Sequence, residues 1–356
     1  MSTGAAITPE EQAPALLSAE EIAASAAWIA AGQAEDGELS WWAGGKGDPW
    51  DHVHSAMGLL VGGRIDEARH AYRWLASTQT EQGGWYAWRE GGEPTNRTQE
   101  TNHAAYPATG LWQYWLATGD GAFLEEMWPV LDSAMAFVES LAADDGTFYW
   151  AISAEGDTWP AALQTGCASI HGSWVCAERI ARELGHERPA WTAMRRRLGT
   201  VLREERALLR QADVVDRVGR FSMDWYYPVL GGAIRGQEAH DLLLDPNRVA
   251  RYMAEGVGCR CVDDHPWYTT AETCELVLAL DACGLTDRAR EVFGWMSQFR
   301  QADGRYYTGK TWPENVYWPE EDNLWTASAV LVANDALAGT SATADLFTSL
   351  DAADLD

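Results

Sequence analysis

One pattern recurs six times along the chain, and it constrains the fold more than any other feature. A helix that mixes charged and apolar positions is followed by a loop rich in Gly and Trp. A helix of small and apolar residues comes next. Internal repetition at this spacing marks an architecture of stacked supersecondary units. The charged helices fall near 18–32, 65–79, 121–142, 188–209, 246–256 and 286–300, with apolar residues at a spacing of three to four, as in IDEARHAYRWLAS. Ser18 and Glu21 form a capping box at the start of the first. The apolar helices begin near His52, Asn102, Cys167, Trp225, Ala271 and Asn323, and most end in Gly, a C-cap signal. The fourth is interrupted by Pro228 and two glycines.

Strict alternation of six charged and six apolar helices predicts an all-α toroid, an (α/α)6 barrel of six helical hairpins with very little strand. The charged helices form the outer ring and the apolar ones the inner ring. The barrel is expected to occupy residues 1–338 as one domain, with 339–356 a loosely ordered acidic tail. The long outer-to-inner loops all emerge on one face, and long loops on one rim carry function.

The formal net charge is −27. Such a surface repels phosphate backbones and anionic headgroups, which argues against nucleic-acid and membrane partners and for a neutral ligand. No apolar stretch is long enough to span a bilayer. The N-terminus lacks the basic and apolar regions of a secretory signal, and the six cysteines form no disulfide framework; both point to the cytoplasm. Oligomeric state is not legible.

Of 20 tryptophans, twelve fall in loops or at helix starts, where polar residues are the norm. An aromatic lining for sugar rings accounts for that placement. The candidate substrate-binding residues are Trp42, Trp50, Trp85, Trp88, His103, Tyr106, Asp224, Trp225, Trp267 and Glu321. The candidate catalytic residues are Asp48 and Asp51, in GDPWDH of the first repeat, and Glu272, at the start of the fifth apolar helix. Glu275 competes with Glu272. Two carboxylates three residues apart in a shielded site push their pKa values apart, and a third across the mouth would complete the acid and base of glycoside hydrolysis. Cys259, Cys261 and His265 lack the spacing of a standard zinc site, and no metal or cofactor is expected. The rim histidines His52, His54, His103, His171 and His265 are read as structural or substrate-positioning.

The six hairpins with acidic, Trp-rich rims resemble the (α/α)6 glycosidases, among them glucoamylases and trehalases. The D-x-x-D of Asp48 and Asp51 with a late glutamate resembles, more narrowly, the mycobacterial hydrolases of methylmannose polysaccharide, endo-acting α-1,4-mannosidases of the cytoplasm. That resemblance implies Asp48 and Glu272 as the catalytic pair and Asp51 as an assistant. In trehalase-like relatives the earlier aspartate is the acid and the late glutamate the base. A second resemblance lies in Gln33-x-x-Asp36-Gly37, Gln79-x-x-x-Gly83-Gly84-Trp85 and Gln301-x-Asp303-Gly304, which look like the structural repeats of terpene cyclases and prenyltransferases; the acidic motif of the protonating cyclases is missing. A sugar epimerase working through rim histidines and a non-catalytic carbohydrate-binding barrel are further alternatives.

Overall fold

The computed structural model describes residues 16–204 and 219–355. Its helices are α1 (Ala19–Ala31), α2 (Pro49–Val61), α3 (Ile65–Thr78), α4 (Thr101–Ala105), α5 (Pro107–Thr118), α6 (Gly121–Ser140), α7 (Gln164–Glu183), α8 (Pro189–Glu204), α9 (Met223–Leu230), α10 (Gly236–Leu243), α11 (Pro246–Tyr252), α12 (Thr270–Ala282), α13 (Thr286–Gly294) and α14 (Leu324–Ala338). The inner ring runs α2, α5, α7, α9, α12, α14 and back to α2, each packed on the next, so the (α/α)6 barrel closes. The outer helices α1, α3, α6, α8, α10–α11 and α13 pack outside it.

Inner helices are buried nearly all round. In α12 every residue from Thr270 to Leu280 is buried. Close packing demands small residues where these helices approach. A Cβ on Gly231 would stand 2.0 Å from the Ala168 carbonyl oxygen, and one on Gly58 would stand 2.5 Å from Ser328 Oγ. The Ser18–Glu21 capping box forms as expected. Gly119 and Gly339 end α5 and α14 in the left-handed conformation.

Two boundaries differ from expectation, and a third falls beyond the described residues. The fifth outer helix starts earlier, at Gly236, and breaks at Pro246, which has no N–H to continue α10; Asp245 caps the new helix α11. Inner helix α9 stops at Leu230, ahead of Gly231 and Gly232. The part of the fourth outer helix expected beyond Glu204 lies outside the described residues.

The outer-to-inner loops also hold short strands. β1 (Lys46–Gly47), β2 (Tyr86–Glu90), β3 (Glu93–Glu100) and β4 (Ala151–Ile152) form one antiparallel sheet across repeats one to three. β5 (Met253–Ala254), β6 (Gly258–Arg260), β7 (Trp267–Thr269), β8 (Gly309–Thr311) and β9 (Val316–Tyr317) form another across repeats five and six. Both stiffen the rim. The end of the chain corrects the expectation of a loose tail. Leu346, Phe347, Leu350 and Ala352 are buried, the Arg235 guanidinium donates to the Phe347 carbonyl at 2.8 Å, and Arg179 donates to the Ser349 carbonyl at 2.7 Å and bonds the Asp354 carboxylate. Apolar side chains spaced through the acidic run seat it under the barrel.

Candidate active site

Asp48 is the N-cap of α2. Its Oδ1 accepts from the Asp51 N–H at 2.9 Å, satisfying one of the helix's orphan donors. The indole N–H of Trp41 donates to Asp48 Oδ2 at 3.3 Å. Pro49 at the first helical position fixes the entry. Asp51 thus sits one turn into a buried helix with Asp48 beside it. Thr269 is the N-cap of α12, and Glu272 lies in that helix's first turn. Asp48, Asp51 and Glu272 line one cavity of about 700 Å³ at the rim, walled by Trp41, Trp50, Trp88 and Trp325. The three carboxyl groups, from repeats one and five, therefore line the same cavity.

Their electrostatics differ. Burial raises the Asp51 carboxyl well above the usual carboxylate range, and the neighbouring Asp48 charge and hydrogen bond add to it. Both effects work in the same direction and favour the neutral form of the Asp51 carboxyl. Glu275 lies one turn beyond Glu272 and is pushed up to about 8, mainly by burial. Its two oxygens accept from the hydroxyls of Tyr226 at 2.8 Å and Tyr227 at 2.5 Å, and it lines a second, narrower cavity deeper in the barrel. Glu272 faces the cleft, whereas both Glu275 oxygens are occupied.

No family model matches the chain. Across 95% of its length the chain is 41% identical to a curated protein of Mycolicibacterium hassiacum, the MMP endo-(1,4)-3-O-methyl-alpha-D-mannosidase, and it covers 92% of that protein. The chain belongs to this mannosidase family. It is a glycoside hydrolase. Solved structures agree at the level of fold. A wild-type glycosidase superposes with a TM-score of 0.70 at 14% identity, covering 96% of this chain and all of that one. The cellobiose 2-epimerase of Spirochaeta thermophila superposes with a TM-score of 0.64 at 16% identity, covering 89% of this chain and 95% of that one.

Within this mannosidase fold the expected binding residues divide. Trp50, Trp88 and His103 line the cleft. Tyr106 lies beneath, stacked on Trp50 at 3.6 Å with the rings 11° apart. Asp224 supports the wall from behind, accepting from the Thr165 N–H and hydroxyl. Trp85 and Trp225 are core residues instead. Their indoles are buried and donate to the Leu75 and Leu242 carbonyls, so neither the loop position of Trp85 nor the helix-start position of Trp225 placed it at the surface. Trp42, Trp267 and Glu321 are not part of the cleft lining: Trp42 is exposed, Trp267 donates to the Trp318 carbonyl, and the Glu321 carbonyl accepts from Thr308. Asn102, Thr165, Ser169, Met223 and Tyr227 also line the cleft and escaped the sequence reading. They sit at the starts of α4, α7 and α9 or one turn in, so position at an inner-helix N-terminus was the available signal.

The histidines are mostly structural. His52 accepts from the Leu39 N–H and donates to the Ala71 carbonyl, and burial pulls its pKa down to about 4. His171 meets the Gly231 carbonyl at 2.7 Å and is likewise lowered to about 4 by burial. His54 is lowered by burial to about 3 and pairs with the Tyr106 hydroxyl at 3.0 Å. His265 is on the surface beside Asp264. Among the described residues no group of three or more His, Cys, Asp or Glu side chains converges as a metal site. No helix there is long and apolar enough to cross a membrane.

Proposed function

We propose that this chain hydrolyses an α-linked neutral polysaccharide, an α-1,4-mannan of the methylmannose polysaccharide type, with inversion at the anomeric carbon. Asp51 is the general acid, Glu272 the general base, and Asp48 assists. The observation that carries this reading is the buried Asp51, its carboxyl raised by burial and by Asp48 beside it, in the same Trp-walled cavity as Glu272. Asp51 gives its proton to the glycosidic oxygen as the bond to the sugar breaks. Glu272 takes a proton from the water that attacks the opposite face. Asp48 caps the first turn of α2 and, lying beside Asp51, helps to raise its carboxyl. This order exchanges the parts that the family resemblance gave to the two aspartates. The substrate follows from the M. hassiacum relative, whose name specifies a 3-O-methylated α-1,4-mannan. Six free cysteines are in keeping with a cytoplasmic site of action.

The test is an activity screen on α-1,4-manno-oligosaccharides with and without 3-O-methyl groups, with the anomer of the first product read by NMR. Asp51→Asn and Glu272→Gln are each expected to lower kcat by about 10² or more. Glu275→Gln is the matched control and keeps measurable turnover. Loss of activity in Glu275→Gln with retention in Glu272→Gln would move the base by one turn. First-formed product of retained configuration would overturn the inverting scheme.

A further inference from the structure

The chain carries 24 arginines and only two lysines, Lys46 and Lys310. Among the described residues neither lysine takes part in an ion pair; that work falls to arginine and histidine. Lys310 gives its ammonium to the amide oxygens of Gln298 and Asn315. The Lys46 ammonium lies against indoles instead. Its Nζ stands 3.5 Å from the centre of the Trp88 ring and 5.0 Å from that of Trp41. The two indoles meet edge to face at 5.7 Å, with their planes 81° apart. Both wall the cleft that holds Asp48, Asp51 and Glu272.

Local sequence brings the cation there. Gly44 adopts a φ of 69°, the left-handed conformation that glycine tolerates, in the turn between Trp41 and Lys46. The Trp41 N–H donates to the Lys46 carbonyl at 2.7 Å and closes that turn. β1 then pairs with β2, setting Lys46 opposite Glu90 on the strand that carries Trp88. Asp48 follows β1 as the N-cap of α2, and the Trp41 indole donates to it. One short segment therefore supplies the cation, one of its two rings and a carboxylate of the cleft.

The Trp88 indole is half-buried, and its N–H makes no hydrogen bond among the described residues. The contacts with Lys46 and Trp41 are what fix this ring. A cation over an indole face is attracted by the ring's quadrupole, and tryptophan is the strongest partner. A ring already held in place loses less conformational freedom when a ligand stacks on it. With the ammonium over one face of Trp88, the opposite face is the one left for a sugar.

We propose that Lys46 is a positioning residue: its ammonium clamps Trp88 and Trp41 and so pre-forms the aromatic wall on which a sugar unit of the polysaccharide stacks. The proposal rests on the polysaccharide reading of the cleft and adds to it a residue that does not itself line the cavity.

The experiment sets the wild type beside Lys46→Met, which keeps an unbranched stem without the charge, and Lys46→Arg, which restores a stacking cation. Thermal unfolding checks that each is folded, and Lys46→Gln replaces Lys46→Met should that variant not fold. On α-1,4-manno-oligosaccharides KM is expected to rise about fivefold in Lys46→Met, with kcat little changed, and to return most of the way in Lys46→Arg. Equal KM values in Lys46→Met and wild type overturn the clamp. A fall in kcat at unchanged KM also overturns it, by placing the charge in the chemistry, and so does a Lys46→Arg variant no better than Lys46→Met. The wall is read without substrate as well. In protein labelled with fluorotryptophan, the Trp88 fluorine resonance, assigned through Trp88→Phe, is expected to be sharp in wild type and Lys46→Arg and to broaden or split in Lys46→Met. A line no sharper in wild type than in Lys46→Met overturns the clamp. If the wild type cleaves none of the sugars, the polysaccharide reading fails on its own, and the fluorine spectra still decide whether Lys46 holds the wall.

Discussion

At the scale of single residues, the cleft places two carboxyl groups side by side at the first turn of α2. Asp48 is held in place by the Asp51 N–H and the Trp41 indole. Asp51 is buried next to it, and both the burial and that neighbour raise it. The rate should therefore fall as pH rises through the raised Asp51 pKa, where the acid loses its proton. Asp48→Asn keeps the cap, because asparagine caps as well as aspartate, but it removes the charge. The Asp51 pKa then drops, and the alkaline limb of kcat/KM should move to lower pH. A limb that stays in place would assign the titrating proton to another group. The pair was legible in the sequence because carboxylates next to a Trp and a Gly-rich loop are unusual. Glu272 and Glu275 could not be told apart there, since one helical turn separates a side chain facing the cleft from one facing the tyrosines of α9. Trp85 and Trp225 misled for a similar reason. A loop or helix-start assignment says where the backbone runs, whereas burial of the indole depends on which outer helix lies behind it.

At the scale of elements, the recurrent glutamine-glycine motif explains how one hairpin is joined to the next. Gln33 donates to the Gly37 carbonyl in its own turn and to the Glu67 carbonyl of α3. Gln79 donates likewise to Gly83 and to Val130 of α6. Gly304 lies against α1, where a Cβ would meet Ala24 at 2.6 Å, so the last repeat grips the first. The motif that looked like a prenyl-enzyme signature is thus a set of ties between outer helices. A different tie joins α7 to α8: Arg195 Nε bonds Glu178 Oε1 at 2.7 Å, both side chains buried, with Thr192 on the other carboxylate oxygen. Removing one member of such a pair strands the other charge. Arg195→Ala should lower the unfolding free energy by about 3–5 kcal/mol in a denaturant titration, and a loss below about 1 kcal/mol would show that water screens the pair. Helices were legible because a three-to-four spacing persists over many residues. The rim sheets were not, because several of their strands are two or three residues long and β2 and β3 pair with register shifts. No alternation can declare itself over such lengths.

At the scale of the whole molecule, the final segment completes the barrel. Phe347 and Leu350 line the inner cavity together with Gly172 and Gly231, and a Cβ on Gly232 would stand 1.9 Å from the Leu350 carbonyl oxygen. A chain ended after Gly339 loses the burial of Leu346, Phe347 and Leu350, each worth about 1.5–3 kcal/mol. Its melting temperature should fall by about 10 °C in a calorimetric scan; an unchanged value would mean that the segment merely rests on the surface. Composition hid this role, since an acidic run reads as solvated until its apolar residues are seen to share one side. The seated segment also turns a tube into a cup. A cup fills and empties through the same mouth. On the polysaccharide reading proposed above, both fragments of a cut would leave by the entrance, and the traffic there would join the bond-breaking step in setting the pace.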